Sequence, residues 1–429
     1  MAPSSSPASF VHNHLNQEEP MKLIKFKFAH TGDWHWKTSM LDRIRPAADS
    51  IVKGIGKAKP DLIGIGGDWW DSPQMLNDRS ATNPSFEIFQ ALGAIAPIMM
   101  IKGNNEHDAP GSLEVFKMQR TLHPVCVSVG AQTFALEWTQ QGEVRYDPAF
   151  IELTGRDNFF EERTYAIIHT FSYPNKAWFL TNEDSGLSIE ETNAKVEHAI
   201  QKIFLGMSMW SREAHAHGIP VIFMGHLNIP GARMSNGQSL LGQDIMISSA
   251  TLRAVGADYY ALNHIHMAQQ VADGMFYSGS MYHKDIGEQE RKTWNNVAFD
   301  DVLGTTVLLE EIDSHPMLRK ILSYDDIIAG PAGQGEADWI DADVYIDINL
   351  TKEQSAYVKD EQIKALFPGA RSFNKVNRLI QPEERLRASE ITKANTLSEK
   401  VREYARVKEM QIPDEVYAMA DTVEGETAL

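Results

Sequence analysis

The sequence predicts an α/β protein built on a largely parallel sheet, and three observations predict it. Short apolar runs of strand length recur, at Lys22-Leu-Ile-Lys-Phe-Lys-Phe28, Asp61-Leu-Ile-Gly-Ile65 and Pro97-Ile-Met-Met-Ile101. Stretches of helical length separate them, and strands alternating with helices build a parallel sheet covered on both faces. Each run empties into polar, ligand-type residues at its carboxyl end, where ligands gather in such sheets.

Taken in order, residues 1–20 read as a loose polar tail without the basic and apolar regions of a signal peptide. The first strand ends in His30-Thr-Gly-Asp-Trp-His35, and a helix over about 45–58 is stopped by Lys59-Pro60. The second strand ends in Gly66-Gly-Asp-Trp-Trp-Asp71; a helix over about 84–96 follows, with Pro84 in its first turn. The third strand ends in Gly103-Asn-Asn-Glu-His-Asp108.

Further strands are expected at 125–129, 133–138 and 163–169, then a long helix at 189–216 stopped by Gly218 and Pro220. Strand 221–224 reaches Gly225-His226, and a short helix at 249–255 leads to Tyr259-Tyr-Ala-Leu-Asn-His-Ile-His266. A hairpin at 269–277 turns at Ala272-Asp-Gly274, and strands at 296–299 and 305–312 close a domain spanning 21–328. Ala329-Gly-Pro-Ala-Gly-Gln-Gly335 opens a linker (329–338). A small α/β module (339–381) follows, with strands at 343–350 and 372–380 around a helical stretch at 352–367. The remainder, 382–429, reads as helical, with Leu397, Val401 and Tyr404 on one stripe.

Bulk properties narrow the function classes. A length of 429 residues suits two to three domains. No window of 18 apolar residues suggests a membrane span. Cys126 is the only cysteine, so no intrachain disulfide forms, and a reducing cytoplasm is the expected setting. The net charge of -18 argues against adhesion to nucleic acid by bulk charge. Bound cations and a local basic groove would still allow a DNA enzyme. Part of the excess lies in 411–429, with five acidic residues and no Lys or Arg.

Alternate residues of an extended chain point to one side, so His264 and His266 face a common point. A His-x-His is a weak signal alone: His12-Asn-His14 and His215-Ala-His217 have it too. Earlier strand exits strengthen it with Asp33, His35, Asp68, Asn104 and His226. Singly, each has a structural reading as a cap, a turn or a satisfied core histidine. Together, these seven nitrogen and oxygen donors are too many for one tetrahedral site. They suit two divalent ions sharing a carboxylate, roughly 3.5–4 Å apart, which clamp an in-line displacement at phosphorus. The absence of thiolates points to manganese, iron or zinc.

This ordered set resembles the calcineurin-like metallophosphoesterases, whose pattern is D-x-H, G-D-x-x-D, G-N-H-D/E, a strand-end His, then G-H-x-H. Within them it is similar to the SbcD-type DNA nucleases that partner the SbcC ATPase. His30-Thr-Gly-Asp-Trp-His35, Phe276-Tyr-Ser-Gly-Ser280 and the α/β module with its helical tail carry that likeness. The resemblance implies a four-layer αββα sandwich with a small α/β cap module and a helical C-terminal segment. It implies one metal on Asp33, His35 and His266, another on Asn104, His226 and His264, and Asp68 bridging. It also implies manganese, DNA as substrate, an SbcC-type coiled-coil partner docking on the C-terminal helix, and a homodimer.

Three departures stand out. Gly32 replaces the Ser before the first Asp. Asn263 replaces the Gly of G-H-x-H, and its tolerance of a left-handed turn would preserve the loop. Gly103-Asn-Asn-Glu-His-Asp108 replaces G-N-H-D. Either Asn105 takes the catalytic-histidine position, or two residues are inserted and His107 takes it; the second matches more of the pattern. As catalytic residue, His107 would stabilise or protonate the leaving oxygen. His169, at the end of another strand, is the alternative to His226 as ligand. Trp36, just beyond the first motif, is a candidate to stack on a DNA base; Trp34, Trp69 and Trp70 read as apolar filling. Hydrolysis of nucleotides or phosphoproteins, or a non-catalytic DNA-end scaffold, stand as alternative functions.

Overall fold

The structure is a computed structural model describing residues 24–141, 144–154, 163–180, 186–235, 245–286, 288, 290–330, 339–380, 396–407 and 410–427. The expected N-terminal tail, most of the expected linker, and residues 381–395 of the expected helical segment lie outside the described residues. The chain divides into two compact units, Met1–His315 and Pro316–Leu429.

In the first unit, strands β1 (Ile24–Thr31), β2 (Leu62–Ile65), β3 (Ile98–Ile101) and β4 (Val125–Ser128) pair in parallel. Helices α1 (Leu41–Ala58) and α2 (Arg79–Gly93) connect the first three. A second sheet holds β5 (Ala131–Gln141), β6 (Val144–Glu152), β7 (Thr164–Phe171), β8 (Val221–His226), β9 (Tyr259–Asn263), β10 (Gln269–Ala272) and β11 (Met275–Tyr277). Its order is β10-β11-β9-β8-β7-β5-β6. Helix α3 (Ile189–Ala216) crosses from β7 to β8, and α4 (Ser249–Arg253) precedes β9. Antiparallel β12 (Thr293–Asp300) and β13 (Gly304–Glu311) return to the first sheet, giving β13-β12-β1-β2-β3-β4.

Side-chain alternation stacks these elements into four layers. Phe26, Phe28, Leu62, Met99 and Ile101 of the first sheet meet Ile168, Ile222, Met224, Tyr259 and Ala261 of the second. The opposite face of the first sheet (Ala29, Ile63, Ile98) packs on Ile44, Ile51 and Ile55 of α1 and Phe89 and Leu92 of α2. The opposite face of the second (Phe223, Tyr260, Leu262) packs on Val196, Ile200 and Phe204 of α3. The order α-β-β-α is therefore a consequence of strands buried on both faces.

Helix α2 begins earlier than Pro84 suggested. Asp78 caps it, accepting from Ser80 N at 2.9 Å, and Pro84 lies inside the helix. Asn263, the last residue of β9, keeps a negative φ; the left-handed turn falls on His264 (φ 100°).

The second unit starts before the expected linker. Strand β14 (Met317–Ser323) pairs in parallel with β15 (Asp343–Leu350), which pairs with β16 (Ser372–Ile380). The boundary therefore falls at 315/316, not 329, because β14 supplies an edge strand to the small sheet. Helix α5 (Tyr324–Ala329) follows β14, and the stretch expected to be one helix is two short ones, α6 (Lys352–Tyr357) and α7 (Asp360–Lys364). Helices α8 (Leu397–Val407) and α9 (Asp414–Thr427) end the described chain. No described helix is long and apolar enough to cross a membrane.

Candidate metal centre

The carboxyl ends of β1, β2 and β3 converge with those of β8 and β9. The exits of β1 and β2 are laced by backbone bonds: Asp33 N to Gly67 O and His35 N to Asp68 O, both 3.0 Å, and Trp36 N to Trp69 O, 2.9 Å. Asp33, His35 and Asp68 adopt left-handed φ values of 50°, 45° and 50°. Each costs on the order of 1–3 kcal/mol and persists only where its surroundings over-determine it. With His264, four of the six described non-glycine residues at positive φ are candidate ligands.

Two donor clusters result. In one, ligand atoms of Asp33, His35 and His266 lie within 4.8 Å of one another; in the other, those of Asp68, His226 and His264 do. Asp68 also groups with His35 and His107, so its carboxylate stands between the clusters. His35 Nε2 and His266 Nε2 are 3.0 Å apart, and His226 Nε2 is 3.3 Å from Asp68 Oδ2. His226 Nδ1 donates to Gly66 O at 2.8 Å, which turns Nε2 to the cluster. Asp68 Oδ1 accepts from Asn104 N at 2.7 Å, bringing Asn104 to the rim.

The donor chemistry fits two divalent ions. Only His and Asp donors make up the clusters, a nitrogen and oxygen set that suits an open hydrolytic site better than structural zinc. The buried Asn104 Oδ1 meets no donor among the described residues, so a cation would satisfy it. The backbone leaves room only for glycine beside the ligands: a Cβ on Gly103 would lie 2.0 Å from Asp68 Oδ1, and one on Gly67 2.8 Å from His226 Nδ1.

Electrostatics follow from this crowding. Burial resists ionisation of Asp68, but the charges of His226 and His107 outweigh it and hold the carboxyl well below its usual range. Burial would lower His226, yet Asp68 reverses this, with Asp33 and the Gly66 carbonyl helping, and pushes it up to about 9. Burial, then the charge of Lys284, holds His35 well below the ordinary histidine range.

His107, not Asn105, reaches this centre. His107 Nε2 is 3.8 Å from Asp68 Oδ2, its ring is 4.5 Å from that of His35, and Nδ1 donates to Asp71 O at 2.6 Å. Asn105 is exposed and accepts from Lys102. His169 is elsewhere, bonded to Thr133 Oγ1 (2.9 Å) and Ser211 Oγ (3.0 Å); burial pushes it down to about 3.

Trp36 corrects an expectation: it cannot stack on DNA, because it is 0% exposed. It sits under the site, 6.5 Å from Trp34 and 6.1 Å from Trp69 between ring centroids.

Several supporting residues were not singled out from sequence. Asp108 is fully buried and accepts from Gly103 N (3.0 Å), Trp69 N (3.1 Å) and Trp70 N (3.3 Å), tying the β3 exit to the β2 exit. Lys284 Nζ lies 3.4 Å from His35 Nδ1 and 3.3 Å from Asp71 Oδ1. Buried Glu288 pairs with Lys292 at 2.7 Å and lies 3.8 Å from His266 Nδ1. Asp108 closes the Gly103-to-Asp108 motif; Lys284 and Glu288 carry no local signal. Ser278 to Ser280 underpin the His-x-His loop, with Ser280 N donating to His266 O at 3.0 Å.

Donor clusters meeting over a shared carboxylate, at the facing ends of two packed sheets, define a metallophosphoesterase. The chain belongs to the calcineurin-like phosphoesterase family, whose sequence profile matches residues 26–268, over half its length. Members of this family typically bind two divalent metal ions. Among solved structures, it is similar to a dimetal phosphatase from Danio rerio, with 10% identity, 68% of this chain and 100% of that one covered, and TM-score 0.38. It is also similar to a candidate 5'-nucleotidase from Staphylococcus aureus in complex with alpha-ketoglutarate, with 13% identity, 68% and 54% covered, and TM-score 0.34. Curated proteins return no match.

Proposed function

We propose that the protein is a two-metal phosphodiesterase of the SbcD kind that hydrolyses DNA at its ends. The observation that carries the phosphoester chemistry is the meeting of Asp33, His35 and His266 with Asp68, His226 and His264. DNA as substrate is supported by sequence: the His30-to-His35 motif, the Tyr277-Ser-Gly-Ser280 stretch, and an α/β unit with helices after the catalytic one.

Asp33, His35 and His266 would hold one ion, and Asn104, His226 and His264 the other, with Asp68 shared. Bound there, manganese, iron or zinc would supply an activated water and offset the charge developing at phosphorus. His107 donates Nδ1–H to Asp71 O at 2.6 Å, which turns Nε2 toward the centre, 3.8 Å from Asp68 Oδ2. A proton relayed through Nε2 would reach the leaving oxygen. Lys37 and Lys284, 3.0 and 3.3 Å from Asp71, place positive charge beside the ligands to orient a phosphate.

A second reading, hydrolysis of small phosphoesters such as nucleotides, is favoured by the net charge of -18, which repels a polyanion. Linear duplex DNA and a chromogenic phosphodiester, each supplied with manganese, separate the two. DNA shortened from its ends is expected. Asp68→Asn should abolish this by more than the roughly 100-fold that loss of a supporting residue costs. His107→Ala should cost about 10²–10⁴-fold with metal content unchanged. Turnover of the small ester alone would replace the DNA reading. No turnover of either would leave a DNA-end scaffold.

For the partner, α8 exposes Leu397 (37%) and Tyr404 (45%), a stripe suited to an SbcC-type coiled coil. Leu397→Asp with Tyr404→Asp should weaken binding to such a coiled coil at least tenfold, about 1.4 kcal/mol. Equal binding in a pull-down rejects docking there.

A further inference from the structure

Behind Asp33 runs a chain of buried polar groups that lies outside the ligand set, and elementary chemistry fixes its direction. The Asp33 carboxylate only accepts, so the Asn263 amide nitrogen faces it, Nδ2 to Oδ2 at 3.0 Å. The second Nδ2 hydrogen goes to Ser278 Oγ at 2.8 Å. Asn263 Oδ1 must then accept, and its partner is His30 Nε2 at 2.8 Å. Burial pushes His30 down to about 4, so the ring is neutral near pH 7. With the hydrogen on Nε2, Nδ1 accepts a hydrogen bond from the Tyr259 hydroxyl at 2.9 Å. The Tyr259 oxygen in turn accepts from Asn295 Nδ2 at 2.9 Å.

Asn263, Ser278, His30, Tyr259 and Asn295 are each 0% exposed, so bulk water does not reach the links between them. The chain joins β12, β1 and β9, and thus both sheets, to a single carboxylate. Each amide hydrogen and the amide oxygen of Asn263 is used.

The space around Asn263 is as specific as its bonding. Its amide fills a slot between two glycines. A Cβ on Gly32 would lie 2.3 Å from Nδ2, and one on Gly66 1.6 Å from Oδ1. Gly32 and Asn263 are also the two positions where the sequence exchanges a larger residue for glycine and glycine for a larger residue. The structure makes them one exchange: bulk lost at 32 is regained at 263.

We infer that Asn263 is a positioning residue that aims the Asp33 carboxylate and thereby sets metal affinity at the Asp33–His35–His266 cluster, with His30 and Tyr259 fixing the direction of its amide. This rests on the two-metal reading above. Second partners of metal ligands commonly control affinity by about 10–100-fold. Asp33 belongs to only one cluster, so the effect is confined to one of two ions. His264 N also donates to both Asp33 oxygens at 3.2 Å, so loss of the amide loosens the carboxylate without releasing it.

The test is calorimetric titration of metal-free full-length protein with manganese chloride, with bound metal counted by elemental analysis. Wild type is expected to bind two equivalents. Asn263→Ala should weaken one by about 10–100-fold and leave the other unchanged; Tyr259→Phe should weaken the same one by a smaller factor. In thermal melts of metal-free protein, Gly32→Ala should be destabilising alone and much less so with Asn263→Gly. Unchanged affinities, or two affinities weakened equally, overturn the inference, as does a Gly32→Ala cost that is indifferent to Asn263. If Asn263→Ala does not fold, Tyr259→Phe decides by the same criteria. Fewer than two equivalents in wild type instead sinks the two-metal reading itself.

Discussion

Asp68 and His226 share a proton where a divalent ion would sit, and that makes metal binding a proton-release reaction. His226 is raised from 6.5 to about 9, so its contribution to stability is complete below 6.5 and lost as pH climbs through about 9. Asp68 is lowered, so its contribution is present above 3.8 and lost as pH falls through its depressed value. The pair therefore steadies metal-free protein most between pH 3.8 and 6.5. Manganese affinity is expected to rise from pH 6.5 toward 9, with proton uptake by buffer detected calorimetrically. Metal-free protein should lose thermal stability over the same interval, less so in His226→Gln; an affinity flat in pH would refute the exchange. The ligand types were legible in the sequence because each ends a strand. The role of Asn263 was not, since its partners His30 and Asp33 lie 233 and 230 positions away. Trp36 misled for a related reason: its parallel bridge to Trp70 turns the side chain inward, and no local pattern encodes that pairing.

Strand exits are the elements that convert the fold into a site, and Asp108 shows how one is held. Its carboxylate gathers backbone N–H groups from the exits of both β2 and β3. Burial, then repulsion from Asp68, pushes it up to about 6, but those N–H bonds oppose the shift. Asp108→Ala would strand three buried donors, at about 1–3 kcal/mol each, while Asp108→Asn retains one acceptor oxygen. Urea denaturation of metal-free protein should therefore rank wild type above Asn above Ala. The Ala variant should also lose manganese at the Asn104 cluster, because Gly103 is no longer anchored; equal midpoints would show that the loop is held otherwise. The β-loop-α rhythm and the long helix α3 were legible, since their periodicity is strong and their stops are explicit. Strand β6 was not, because Pro148 argues against a strand; β6 is an edge of its sheet, where proline is tolerated. Strand β14 was absorbed into the first unit because the Gly-rich stretch from Ala329 marks a break after it, whereas its parallel partner β15 comes later in the chain.

Over the whole molecule, charge opposes the proposed substrate, and the conflict is measurable. The protein carries 40 basic and 58 acidic residues, and even two bound divalent ions leave it strongly negative. Repulsion of DNA by that field is long-ranged, acting over roughly 30 Å at 0.01 M salt and only about 10 Å at 0.1 M. The contacts that would engage a phosphate, Lys37 and Lys284 beside Asp71, act at short range and survive this screening better. Two opposing salt effects follow: screening of the field speeds encounter, and competition for phosphate contacts slows it. With few local cations, the first should dominate at low salt. The kcat/KM for linear DNA is expected to rise between about 0.01 and 0.1 M salt and to fall beyond it, while that for a small phosphodiester stays nearly flat. Lys284→Gln should lower the DNA value at every salt concentration and steepen the initial rise. A decline from the lowest salt onward would mean that a basic surface elsewhere on the chain governs the encounter, and the argument from net charge would fail.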